Sequence, residues 1–180
     1  RFTERFPQVE LDIRFMDSEA ACRAVETGDL ELAIVTLPPD RPASLQLEKI
    51  WHDPLAFMVG LDHPLAGRDA VDLAELMAYP AVLPGGTTYT RGVLEQAVRD
   101  SSAELHVAMA TNYLETLRML VATGLGWSLL PGTLLDGEVH ALQVRGMTLS
   151  RDLGAATHRK RSLSNAGEEM IRICRQASDG

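Results

Sequence analysis

Ala81-Val82-Leu83-Pro84-Gly85-Gly86-Thr87-Thr88-Tyr89-Thr90-Arg91-Gly92-Val93-Leu94-Glu95-Gln96-Ala97-Val98 carries the chain's plainest strand-to-helix signal. The apolar run ending at Pro84 predicts a buried strand, Gly85-Gly86 a tight turn, and Val93, Leu94, Ala97 and Val98 the inner face of a following helix. At such a joint the first helical N–H groups lack partners and carry the positive end of the helix dipole. A carboxylate, phosphate or sulfate is therefore stabilised there. The hydroxyls of Thr87, Thr88 and Thr90 either cap the helix or reach a ligand, and both readings stay open.

Outward from this joint, the composition sets bounds. A chain of 180 residues, 46% apolar and 23% charged, can bury one large core or two small ones. No apolar run reaches membrane-span length and no secretory signal opens the chain, so no membrane partner is expected. Arg1 in place of an initiator methionine implies an excised part of a longer protein. The net charge of −8 argues against nucleic acid binding by this segment, which would need a basic face to displace counterions. Its one basic cluster, His158-Arg159-Lys160-Arg161, reads as a solvated strand end. Cys22 and Cys174 lie far apart and read as small buried hydrophobes, without a disulfide or catalysis.

Along the chain, Val9, Leu11, Ile13 and Phe15 alternate with Glu10, Asp12 and Arg14, which predicts a strand. Asp17 or Ser18 can cap a helix with Ala20, Ala21, Ala24 and Val25 inward, stopped by Gly28. Leu30 to Thr36 is nearly continuous in apolar residues and suits a central parallel strand covered on both faces. Leu45 to Ile50 and Leu55 to Leu61 read as two further strands, and Asp72 to Met77 as a short helix. Leu105 to Ala110 is a strand, and Asn112 with Glu115 has capping-box spacing for a helix carrying Leu114, Leu117, Leu120 and Val121 on one face. Trp127 to Leu130, Val139 to Val144 and Leu153 to Thr157 look extended. Asn165 to Ala177 looks like a closing helix with Ala166, Met170, Ile173 and Cys174 inward.

The expected fold class is α/β, with two Rossmann-like lobes and a ligand cleft between them. Lobe I takes residues 1–79 and 142–180, lobe II residues 80–141. Polar groups expected to face the cleft are Ser18, Thr36, Gly86, Thr87, Thr88, Tyr89, Asn112 and Tyr113, at strand ends and helix starts.

No catalytic constellation is found. Gly126-Trp127-Ser128 lacks the second glycine of a nucleophile elbow, and the Gly85-Gly86 turn lacks the lysine of a phosphate-binding loop. The five histidines show no metal-ligand spacing, and neither a metal nor another cofactor is expected. His52-Asp53 and Asp62-His63 resemble acid–base pairs, yet both lie in proline-punctuated turns where these residues serve the backbone.

Four patterns in order, Phe2-x-x-Arg5-Phe6-Pro7-x-Val9-Glu10-Leu11, Gly28-Asp29-Leu30-Glu31-Leu32-Ala33-Ile34, Met58-Val59-x-x-Asp62-His63-Pro64-Leu65-Ala66 and Gly124-x-Gly126-Trp127-x-x-Leu130-Pro131, resemble the effector-binding domain of LysR-type transcriptional regulators. The resemblance spans nearly the whole chain. It implies a fold like type II periplasmic binding proteins and a small-molecule effector, most simply an organic or inorganic anion, in a cytoplasmic homodimer or homotetramer. It also implies DNA binding through an N-terminal winged helix-turn-helix absent from this chain. The family's first strand and its Ser/Thr-bearing loop would lie before Arg1. Trp127 stands where a smaller aliphatic residue is usual, and it either narrows the cleft or fills the core. A transport-type solute-binding protein of the same architecture is the alternative reading. A lyase or transferase on the scaffold lacks a base and nucleophile.

Overall fold

The computed structural model describes residues 2–99 and 104–178. It divides into two compact units, one joining Arg1–His52 to Asp152–Gly180 and the other formed by Asp53–Arg151.

In the first unit, helix α1 (Phe2–Arg5) and helix α2 (Ser18–Thr27) precede strand β1 (Leu32–Thr36). Asp17 is the N-cap of α2, and Gly28 ends it in the left-handed conformation (φ 92°), its N–H donating to Ala24 O at 3.0 Å. Arg161 donates to the last carbonyls of α2, Val25 O and Glu26 O, at 2.9 and 3.1 Å. A side chain at position 28 would collide with that guanidinium. Arg159 likewise donates to Leu45 O, so two of the four residues in the basic cluster satisfy backbone groups. Strand β2 (Leu45–Gly60) begins in this unit, and strand β7 (Leu149–His158) returns to it before the final helix α6 (Asn165–Ser178). β1 pairs antiparallel with β7, Leu32 opposite Thr157 through Thr36 opposite Leu153.

Three expectations are corrected here. Residues 9–15 form no strand, and Ile13 and Phe15 are exposed at 64% and 96%: alternation supplied two faces, but neither face finds a sheet among the described residues. β1 is antiparallel to its neighbour and leaves Ile34 exposed, so it is not a parallel strand covered on both sides. The inner face of α6 is centred on Gly167 and Ile171, about one position round from the predicted face.

The second unit opens with the end of β2, which pairs antiparallel with strand β5 (Ser128–Pro131) and strand β6 (Val139–Leu142). Helix α3 (Leu73–Met77) leads to the parallel crossover strand β3 (Ala81–Leu83), helix α4 (Tyr89–Val98) and strand β4 (Val107–Ala110), followed by helix α5 (Leu114–Ala122). Alternation along β3 sorts its side chains into two cores. Ala81 and Leu83 pack with Phe57, Leu76, Leu94 and Trp127, whereas Val82 packs with Met58, Leu117, Val121 and Leu130. Each fully buried large aliphatic side chain contributes about 1.5–3 kcal/mol.

These shared cores move the unit boundaries from those expected. Leu55, Val71 and Leu76, assigned from sequence to lobe I, pack with Leu83 and Leu94, and so do Leu142 and Val144. The crossings fall at His52/Asp53 and Arg151/Asp152 instead of near residues 79 and 142. β2 is also a single strand across the position where two were expected.

Candidate functional site

The organising stretch forms as read. β3 ends at Leu83, and α4 begins after a turn closed by Thr88 N donating to Gly85 O at 3.0 Å. Thr88 is the N-cap: its hydroxyl accepts from Arg91 N at 3.2 Å and donates to Gly85 O at 2.9 Å. That hydroxyl is thereby occupied in capping. Gly86 and Thr87 are exposed, and nothing lies within 4 Å of where a Gly86 side chain would stand. Tyr89 is half-buried.

The parallel pairing sets Leu83 beside Ala110, so the two chain segments leaving β3 and β4 are neighbours. Gly85 N donates to Asn112 Oδ1 at 2.8 Å, tying one strand–helix joint to the next. The capping box expected at Asn112 and Glu115 does not form. Tyr113 holds the N-cap position without a side-chain cap, because Asn112 Oδ1 turns to the Gly85 amide. Tyr113 is 77% exposed. In the first unit, Ser18 and Thr36 meet, with Ser18 Oγ accepting from Thr36 N at 3.0 Å and Thr36 buried. The structure thus brings the Gly85–Thr88 turn together with Asn112 in one unit, and Ser18 together with Thr36 in the other.

Charged groups near the joint escaped the sequence reading. Arg91 is buried against the turn; its Nη1 donates to Pro84 O at 3.4 Å, and its Nε lies 2.9 Å from Glu95 without the alignment of a hydrogen bond. Arg151 reaches Thr90 in the first turn of α4 and also Asp53. The first pairing lies 61 positions apart in sequence and the second 98, and no local signal reports such spacing.

Trp127 is fully buried, 5.9 Å from the Phe57 ring, with its indole N–H donating to Tyr79 O at 3.1 Å. It belongs to the core, the second of the two readings open for it from sequence. The tempting acid–base pairs dissolve. His52 lies 3.4 Å from Asp152, whereas Asp53 pairs with Arg151. His63 packs edge-on against Tyr79 at 4.6 Å. Burial lowers the His63 pKa below its ordinary 6.5. Lys49, hydrogen-bonded to Asp152, holds that carboxyl below its usual range. Among the described residues, no three His, Cys, Asp or Glu side chains gather as a metal set, and no helix is long and apolar enough to cross a membrane.

Two parallel strands that each lead to a helix start, with Gly86 and Thr87 exposed at one of these joints, are the plan of an α/β ligand-binding domain. Residues 1–179 match the LysR substrate binding domain, and the chain belongs to that family. It is the effector-binding domain of a LysR-type regulator, a class of regulators and not of enzymes. This membership replaces the transport reading. A probable nitrogen assimilation transcriptional activator of Synechococcus elongatus is 27% identical over 142 residues, covering 78% of this chain and 46% of that protein. The chain spans about half the length of the curated relatives it matches. The CcmR regulatory domain of Synechocystis PCC6803, solved with 2-PG, superposes with a TM-score of 0.87 at 20% identity, covering 99% of this chain and 88% of that one. The effector-binding domain of QuiR, solved with shikimate, superposes at 0.85 with 16% identity, covering 99% and 87%. At such identities the likeness establishes the fold, which is of the type II periplasmic-binding-protein kind.

Proposed function

We propose that this chain senses a small metabolite anion and thereby controls DNA binding by a cytoplasmic homodimeric or homotetrameric regulator, whose DNA contacts lie outside these residues. Gly86, Thr87, Tyr89, Asn112 and Tyr113 serve as effector contacts in the second unit, and Ser18 and Thr36 in the first. Thr88 shapes the turn, since its hydroxyl is already engaged on both sides. The observation that carries this reading is the uncovered Gly86-Thr87 segment, set just before a ten-residue helix at the carboxyl end of a parallel strand. Amide donors there favour negative charge by about 0.3–1 kcal/mol through the helix dipole, before any direct hydrogen bond is counted. Both 2-PG and shikimate, held by the two structural relatives, are carboxylates, which supports an anion as the ligand class.

Calorimetric titration with inorganic sulfate, inorganic phosphate, 2-phosphoglycolate and shikimate tests the reading. At least one anion should bind, and Thr87→Val should weaken it roughly fivefold, the worth of one hydrogen bond. Binding that Thr87→Val leaves unchanged, or no binding by any of the four, overturns the assignment. A ligand shifts the regulator only by its difference in affinity between two states, so the same titration on the full-length protein with and without operator DNA measures the control itself.

A further inference from the structure

The third threonine of the joint has a different role from the other two. Thr90 is buried in the first turn of α4, and its hydroxyl accepts from Arg151 Nη1 at 2.8 Å. The same guanidinium donates its Nε to Asp53 Oδ2 at 2.7 Å. The side chains of Arg151 and Asp53 are only 12% and 11% exposed. Asp53 is the first residue of the second unit and Arg151 the last. Three separate elements, β2, β7 and α4, therefore meet through two hydrogen bonds of one planar group.

Burying both charges costs desolvation that a pair of apolar residues would avoid, so the pair is a poor device for stability alone. It is a good device for geometry. A guanidinium held along two of its edges cannot rotate, and a lysine ammonium could not reproduce that fork. We propose that Arg151 and Asp53 are positioning residues for the α4 joint: they fix Thr90, and through it the rotation of the first turn whose preceding segment, Gly86-Thr87, presents the ligand-binding amides. The proposal rests on the effector reading given above for that segment.

The test uses the 180-residue chain with Thr90→Val, Thr90→Ser and Arg151→Lys. The first readout needs no ligand: amide exchange at Arg91 and Gly92, which donate to Thr88 Oγ1 and Thr88 O. Thr90→Val and Arg151→Lys should each speed these two amides at least tenfold while leaving the amides of α5 unchanged, and Thr90→Ser, which keeps the hydroxyl, should restore them. The Arg151 Nε–H resonance should shift in Thr90→Val and return in Thr90→Ser. Unchanged exchange at Arg91 and Gly92 overturns the proposal, as does an equal rise in α4 and α5, which would mark general destabilisation. The second readout is titration with whichever of the four anions the wild type binds. Thr90→Val should weaken it at least tenfold and Thr90→Ser less than twofold; unchanged affinity beside altered exchange also overturns the positioning role. Should no anion bind the wild type, the effector reading falls, and the exchange data still decide whether Arg151 orders the turn.

Discussion

His63 shows how a residue noticed for chemistry is explained by its surroundings. Its ring packs edge-on against Tyr79, and its Nδ1 accepts from Leu65 N at 3.2 Å. Burial lowers its pKa, so the folded state prefers the neutral ring, and a proton on Nδ1 would remove the acceptor that Leu65 uses. The contribution to stability is complete above the unfolded value near 6.5 and is lost as pH falls below it toward the lower folded value. Thermal melts from pH 7.5 to 5 should therefore show a falling Tm that His63→Gln flattens; an identical slope in the variant would remove His63 as the cause. The Asp152 and Glu75 carboxyls, also held low, add a loss of the same sign in more acid solution. Lys49 is the main cause for Asp152, and the Asp72 amide followed by Arg68 for Glu75. Individual residues were only partly legible from sequence where their partner is local: a cap was one of two roles open for Thr87, Thr88 and Thr90, and Thr88, counted among the cleft-facing groups, takes it. Residues were not legible where the partner is distant: Asn112 was read as a cap because Glu115 stands three places on, while its acceptor oxygen goes to Gly85, 27 positions away.

Helix α4 is the element most directly open to measurement. Thr88 supplies its side-chain N-cap, accepting from Arg91 N, and it also closes the turn through Gly85 O. Thr88→Ala should cost about 1 kcal/mol in urea unfolding, within the range for lost N-caps, and Thr88→Ser should recover most of it. A loss below about 0.3 kcal/mol would show that water replaces the hydroxyl without penalty. Periodicity located this helix well, because Leu94 and Val98 are buried as the spacing implied. It failed for residues 9–15, since alternation describes the faces a strand would have and says nothing about a neighbour to pair with. It failed in another way for β2, where Trp51-His52-Asp53-Pro54 was read as a turn between two strands. In the structure Glu48 pairs with Arg175, Lys49 with Asp152 and Asp53 with Arg151, so the strand continues through them.

At the scale of the whole molecule, the expectation of an α/β fold with a discontinuous first unit rested on a resemblance as much as on pattern. The placement of the boundaries then depended on packing. Sequence spacing cannot tell which core Leu55 or Val71 will join, and both join the core around Trp127. Because the described residues of that core all come from 53–151, this segment should fold when expressed alone, giving dispersed amide resonances and a cooperative melt. A collapsed spectrum without dispersion would show that its stability is borrowed from the remainder of the chain. The contact of Asp53 with Arg151 joins the beginning of that segment to its end. Topologically the segment is a closed insert, a block that can be lengthened, exchanged between relatives or cut out and bridged by a short linker without rethreading anything outside it.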